Sequence, residues 1–418
     1  MQLLIRNAAI RGSTVSKDIV IDDGKIIEII EAGSKYSTDS GFDSVIDANG
    51  SLVTESFVSP HIHLDKILIG KTIINESGEL WEAIAKTWEY KRNYSFEDIM
   101  TRASDIIDKQ IEYGATKFRT HVDIDSIGGL KPLEGLLKVK EKYKNSIDLQ
   151  IVAFPQEGII KDEGTIELII KAVEMGADCV GGMPHNEYTP QDSVKHVEVI
   201  FDIAEQFKVP IDAHVDETDD PNSKTLELMA AEAIRRNFTF GVTVDHICAL
   251  SSYDDYHAAR AIGLVKEAQI NVVTNPPTNM VLQGRLDTGA QRVGITRVKE
   301  LLQAGVNVTV GQDCIKDPYY PFGRGDMLDV ALLTGHAAKM TLPQEINQLY
   351  DFITTNALVT LGFELSNYNM SIGSFADLVI LNGVTDVWEA IRTLPQSRTT
   401  IKNGKILSES KYSVSRYY

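Results

Sequence analysis

The chain has 418 residues, 43% of them hydrophobic and 24% charged, an ordinary globular composition with room for a barrel of about 250 residues plus a smaller unit. Asp and Glu total 59 against 41 Lys and Arg, a net charge of −18, which argues against a nucleic-acid backbone or an anionic membrane as partner and favours a small ligand. Cys179, Cys248 and Cys314 are far apart and form no C-x-x-C pair, so no disulfide framework or thiolate zinc site is expected.

In chain order, the N-terminal run meets Arg6 too early to be a signal h-region, and no stretch approaches the ~18 uninterrupted apolar residues of a spanning helix. A cytoplasmic protein is expected. Residues 1–55 read as short strands: Gln2–Asn7, Asp18–Asp22, Lys25–Ile30 and one around Val45–Leu52. Asp23-Gly24 marks a tight hairpin turn between the second and third. The C-terminus has the same character, with a buried run at Ala376–Leu381 and a hairpin turning at Asn403-Gly404. Residues 1–55 and 372–418 are therefore expected to form one small β-sandwich domain from both chain ends.

Residues 56–371 alternate β-like runs with helix-like stretches. The runs are Ser56–Leu64, Thr116–Asp123, Asp148–Gln156, Asp178–His185, Pro210–Glu217, Gly241–His246, Ile270–Asn275 and Val306–Asp313. A helical region holding Trp81, Ile84, Trp88 and Tyr90 follows the first. Later amphipathic stretches are Glu167–Met175, Val194–Phe207, Thr225–Arg235 and Thr296–Ala304. Eight such runs predict an α/β fold, a (β/α)8 TIM-type barrel.

Barrels of this kind keep their chemistry at the C-terminal ends of the strands. Seven of the nine histidines (61, 63, 121, 185, 214, 246 and, less clearly, 257) lie at or just after the β-like runs. His61 and His63, two apart on a strand, place both imidazoles on one face. With His214 and Asp313 they supply three imidazoles and a carboxylate for a divalent metal, leaving a position for water. Run four has no lysine or glutamate to bridge a second ion, so one metal is expected. Glu217, three residues past His214, is suited to carry protons beside that site, although it sits in the acidic stretch Asp216–Asp220 and could equally be a surface charge. His121, deep in its run, fits a supporting role better than direct ligation.

Several strings resemble bacterial cytosine deaminases, within the amidohydrolase superfamily. They are Ser59-Pro60-His61-Ile62-His63-Leu64-Asp65, Arg119-Thr120-His121-Val122-Asp123, the run 148–158 ending Phe154-Pro155-Gln156-Glu157-Gly158, and Asp212-Ala213-His214-Val215-Asp216-Glu217. Leu282–Arg285, Gly294–Glu300 and Asp317–Gly323 match as well, so the likeness runs through essentially the whole chain. The resemblance implies iron(II) or zinc held by His61, His63, His214 and Asp313. Asp313 would take a proton from the attacking water, Glu217 would protonate the ring N3, and His246 would stabilise the tetrahedral centre. Gln156 would read the amide edge of the ring and Phe154 would wall it.

Two positions depart from that family. Cys314 stands where a second aspartate is common, and Tyr319 where a tryptophan follows Asp-Pro. Both belong to the pocket wall, and an apolar thiol at 314 predicts tolerance of a 5-substituted ring such as 5-methylcytosine. The alternative is an aminohydrolase of N-alkylated triazines or another amino-heterocycle, which resembles the chain through Gly114-Ala115-Thr116, Arg119–Asp123 and Pro321–Met327. A non-catalytic scaffold is a third reading, disfavoured by the intact ligand set and Glu217. A barrel of this size often assembles, so a homo-oligomer is expected.

Overall fold

The computed structural model describes residues 2–36, 41–93 and 95–417. Strands β1 (Leu3–Ile10), β2 (Lys17–Asp22), β3 (Lys25–Glu31), β4 (Ser44–Asp47) and β5 (Leu52–Glu55) come first. The β2–β3 turn is the two-residue one expected, with Asp23 and Gly24 both at positive φ. The single strand expected around Val45–Leu52 is instead two, β4 and β5. Asn49 (φ 50°) and Gly50 (φ 75°) turn the chain between them, which ends any extended run.

The next eight strands are β6 (Phe57–Ile62), β7 (Ala115–Asp123), β8 (Asp148–Phe154), β9 (Cys179–Val180), β10 (Ile211–Val215), β11 (Val242–His246), β12 (Asn271–Thr274) and β13 (Val308–Val310). All adjacent pairs are parallel and follow chain order. The sheet closes where β13 returns to β6: the Asp313 amide donates to the His61 carbonyl at 3.0 Å, and Ile62 bridges Asp313. This is the (β/α)8 barrel. Helices α1 (Leu80–Lys91), α2 (Phe96–Glu112), α3 (Lys131–Tyr143), α4 (Thr165–Met175), α5 (Pro190–Phe207), α6 (Thr225–Arg236), α7 (Asp255–Glu267), α8 (Pro276–Leu282), α9 (Val298–Gln303) and α10 (Met327–Ala337) stand between and after the strands. Several start on side-chain caps, such as Ser95 for α2 and Thr189 for α5, which satisfy first-turn amides. No helix among the described residues is long and apolar enough to cross a membrane.

The fourth run is much shorter as a strand than its sequence suggests. Gly181 and Gly182 follow β9, and a side chain on Gly181 would strike the Ala153 carbonyl at 2.6 Å. The backbone passes so close to its neighbour that only glycine fits, and His185 falls on a short 3-10 turn beyond it.

Strands β14 (Leu378–Leu381), β15 (Arg398–Lys402) and β16 (Lys405–Glu409) join the N-terminal ones in the order β16-β15-β14-β5-β1-β2-β3, with β4 also on β1. The first half of β1 pairs with β4 and its far end with β5, so the sheet turns at β1. Leu3, Ile5 and Ile21 from one side share a core with Val53, Ile380 and Ile401 from the other. Alternating apolar residues on short strands force this arrangement, since each inward face needs a partner to exclude water.

Candidate metal centre and pocket

His61 and His63 emerge at the end of β6 with 0% and 3% exposure, so neither imidazole is solvated. His63 Nε2 lies 3.2 Å from His214 Nε2 and 3.3 Å from Asp313 Oδ1, and His61 Nε2 lies 3.4 Å from the same oxygen. Metal–nitrogen and metal–oxygen bonds of about 2.0–2.1 Å in a tetrahedron put ligand atoms about 3.3–3.4 Å apart. The spacing thus fits one ion. His61 Nε2 has no hydrogen-bond partner although it is buried, as expected of an atom whose lone pair is reserved for a cation.

Protonation agrees with that fit. Burial, then the charge of Lys66, pushes His63 well below the usual histidine range; burial and the surrounding imidazoles do the same to His214. Both are neutral, the form that ligates. Burial opposes the charge of Asp313, but His61 and His63 hold its carboxyl well below the ordinary carboxylate range.

Behind the cluster, His61 Nδ1 lies 3.1 Å from Asp245 Oδ2. His121 Nε2 bonds Asp212 Oδ1 at 3.1 Å, and Arg119 pairs with the other oxygen of Asp212 at 2.6 Å. His121 therefore belongs to a layer of polar side chains beneath the imidazoles. His257 sits in α7 and pairs with Glu227 at 2.9 Å, away from any strand end.

His246, expected beside the reacting centre, stands within the cluster itself: its ligand atom lies within 4.8 Å of those of His61, His214 and Asp313, while His63 groups in the same way with Asp65 and Asp123. The Nδ1 of His246 faces the Asn279 amide nitrogen at 2.9 Å and Glu217 Oε1 at 3.2 Å. Asn279 also donates to Glu217 Oε1 at 3.1 Å, so one side chain on α8 clamps both. The Asn275 amide nitrogen faces the other ring nitrogen, Nε2, at 3.3 Å, so two buried asparagines bracket the His246 ring. Sequence reasoning missed Asn279. The signal available was Asn275-Pro276-Pro277-Thr278-Asn279, a polar run directly after a β-like run, whose two asparagines are both fully buried.

The acidic stretch after His214 divides. Asp216 turns inward and accepts the amides of Thr225 and Leu226 at the start of α6. Glu217 lines the cavity, and burial, then the charge of Asp313, pushes its carboxyl up to about 8. His246 (φ 67°) and Asp313 (φ 63°) both hold left-handed backbone, a strained conformation for residues with side chains, at the points where the chain leaves β11 and β13.

A cavity of about 1880 Å³ opens above the cluster, with His63, His214 and Asp313 on its floor. Gln156, Cys314 and Tyr319 line it, as does His185, which burial holds down at about 4. Cys314 and Tyr319 belong to an apolar group with Ala83 and Tyr320, and the Cys314 thiol lies 3.7 Å from Asp313 Oδ1. Phe154 stands elsewhere: it stacks on His214 at 4.1 Å between ring centroids and backs the imidazole instead of lining the cavity. Lys66, also missed from sequence, enters the wall with Nζ 2.7 Å from Gln156 Oε1 and 2.9 Å from Asp123 Oδ1.

Residues 44–408 match the profile of the family described as Amidohydrolase family. The chain is similar to the crystal structure of 5-methylcytosine deaminase from Klebsiella pneumoniae liganded with 5-fluorocytosine, with 38% identity and a TM-score of 0.92 over 100% of this chain and 99% of that one. It is 30% identical to N-isopropylammelide isopropyl amidohydrolase from Pseudomonas sp. (strain ADP), over 99% of this chain and 98% of the relative. It is likewise 30% identical to pterin deaminase from Rhizobium rhizogenes, over 94% of this chain and 88% of the relative.

Proposed function

The chain belongs to the amidohydrolase family, and on that premise we propose that it is a hydrolytic deaminase converting cytosine or 5-methylcytosine to uracil or thymine and ammonia. One observation carries the reading: Glu217, held by Asn279 at 3.1 Å and facing His246 at 3.2 Å, lines the same cavity as Asp313 of the metal cluster. Asp313 is held ionised, and Glu217 is pushed up to about 8. Such a split assigns a base and an acid to one site.

His61, His63, His214 and Asp313 would hold one divalent ion, iron(II) or zinc. Bound there, it supplies Lewis acidity that makes water a nucleophile near neutral pH. Asp313 accepts a proton as water adds to the amino-bearing carbon. Glu217 carries a proton to the ring N3, steadied by Asn279. His246 donates a hydrogen bond to the developing oxyanion. Gln156 reads the amide edge, and Phe154 keeps His214 in place from behind. Cys314 and Tyr319 give the ring an apolar wall, which supports a 5-methyl group.

The same reading takes residues 1–55 with 372–418 as a separate β unit around the barrel of 56–371, in a cytoplasmic homo-oligomer. A second reading, hydrolysis of an N-alkylamino-triazine, is favoured by the size of the cavity, far larger than a pyrimidine, and by the N-isopropylammelide relative. Ammonia and alkylamine release from cytosine, 5-methylcytosine and N-isopropylammelide tests both. Cytosine or 5-methylcytosine is expected to be the better substrate; isopropylamine release with no turnover of either pyrimidine would reverse the assignment.

A further inference from the structure

Lys66 is only 1% exposed, yet it lines the cavity. Its ammonium group is fixed between Asp123 Oδ1 at 2.9 Å and Gln156 Oε1 at 2.7 Å, with the ring centroids of Phe154 and Tyr319 at 5.6 and 5.7 Å. An ammonium only donates, so the oxygen of the Gln156 amide has to be the atom that faces it. The amide nitrogen then turns the other way, where its partner is the Met183 thioether at 3.6 Å, a weak acceptor that a ligand oxygen would displace. This wall of the cavity therefore presents a donor, Gln156 Nε2–H.

Lys66 shares a buried acidic cluster with Lys91, which is divided among Asp123, Asp125 and Glu157, so Lys66 helps to balance that charge and in addition reaches Gln156. The backbone carbonyl of Gln156 accepts from the Asn186 amide at 2.9 Å, a bond that fixes the main chain and leaves the side-chain amide free to turn. What Lys66 adds is direction. A glutamine free to turn could offer a ligand either its oxygen or its nitrogen, whereas this one offers the nitrogen.

We propose that Lys66 is a specificity-determining residue: by fixing Gln156 as a donor, it admits rings that carry an oxo group on this edge and refuses rings that carry an amino group there. The proposal rests on the amino-heterocycle reading above and narrows its substrate class to oxo-substituted rings. An amino group facing this wall would set N–H against N–H and leave buried donors unpaired, the kind of mismatch that discriminates most strongly between analogues.

The test is equilibrium binding of cytosine and 2,4-diaminopyrimidine, which exchange the C2 oxo group for an amino group and the N1–H for a bare ring nitrogen, to metal-loaded full-length protein at a pH where both rings are neutral. A Glu217→Gln background keeps either ring from turning over. Cytosine is expected to bind at least about tenfold more tightly. Adding Lys66→Met should weaken cytosine about tenfold and bring the two ligands within about threefold, with metal content unchanged. Gln156→Glu keeps the partner of Lys66 but exchanges the donor for an acceptor, so it should invert the preference even if Lys66→Met fails to fold. Equal binding of the two rings to the parent protein, or a folded variant that keeps the parent's preference, overturns the proposal. If neither pyrimidine binds, the pyrimidine reading fails, and ammeline against melamine decides the Lys66 proposal by the same ratios. Absence of binding by all four rings overturns both.

Discussion

The amide of Asp313 donates to the carbonyl of His61 at 3.0 Å, while the carboxylate of the same aspartate lies 3.4 Å from the Nε2 of the same histidine. The seam that closes the barrel is therefore also one edge of the metal cluster. The left-handed backbone at Asp313 makes both contacts possible at once, because it swings the side chain inward as the strand ends.

Gly311 sits at that seam, and a Cβ there would stand 2.6 Å from the Cβ of His61 and closer still to the Asn275 side chain. Gly311→Ala is expected to cost about 1–3 kcal/mol of stability by overpacking and to weaken metal binding in parallel. Thermal unfolding and metal titration of the variant check both effects.

One tightly bound metal ion per chain is expected, and His61→Ala or His214→Ala should lose the ion and turnover together. Elemental analysis of the purified protein decides the stoichiometry. Two tight equivalents in the parent protein contradict the single-ion cluster.

Glu217→Gln keeps the shape of the side chain but removes the acid, so it should lower kcat by at least ~10²-fold while the metal stays bound. The carboxyl must be protonated to donate, and burial with the charge of Asp313 raises it to about 8. Activity on the alkaline side should therefore hold up to about pH 8 and fall as pH rises through that value, by roughly tenfold per unit. A kcat profile flat to pH 10, or metal lost from the variant, removes Glu217 from this role.

Asn279→Ala releases Glu217 and His246 from their common clamp. A loss of about tenfold in kcat with KM little changed is expected, since the clamp orients groups that act on the transition state. A change confined to KM would show that Asn279 acts on ligand binding alone.

Cys314→Asp replaces an apolar cavity wall with a carboxylate. The ratio of kcat/KM for 5-methylcytosine to that for cytosine should fall, by an amount on the order of tenfold for a methyl group left against charge. Both constants dropping together, with the ratio unmoved, would place the thiol outside the ring's reach.

The barrel and its strand ends were legible because β periodicity and the spacing of His61, His63, His214, His246 and Asp313 are local properties of the chain. Alternation on one strand decides which way a side chain points, and the parallel barrel gathers strand ends at one face, so the cluster could be read without a structure. Other features depend on contacts between distant segments. The break between β4 and β5 follows from two positive-φ residues that a run of apolar letters hides. Phe154 was expected in the cavity wall, yet its strand packs it against His214, 60 residues away in the chain. Glu217 was expected to carry protons beside the metal site, but only the structure separates it from its neighbour Asp216, which caps α6 while Glu217 lines the cavity. Lys66 and Asn279 carry no pattern of their own. Each matters through a hydrogen bond to a residue 90 or 62 positions away, Gln156 and Glu217, and only tertiary packing brings such partners within 3.1 Å.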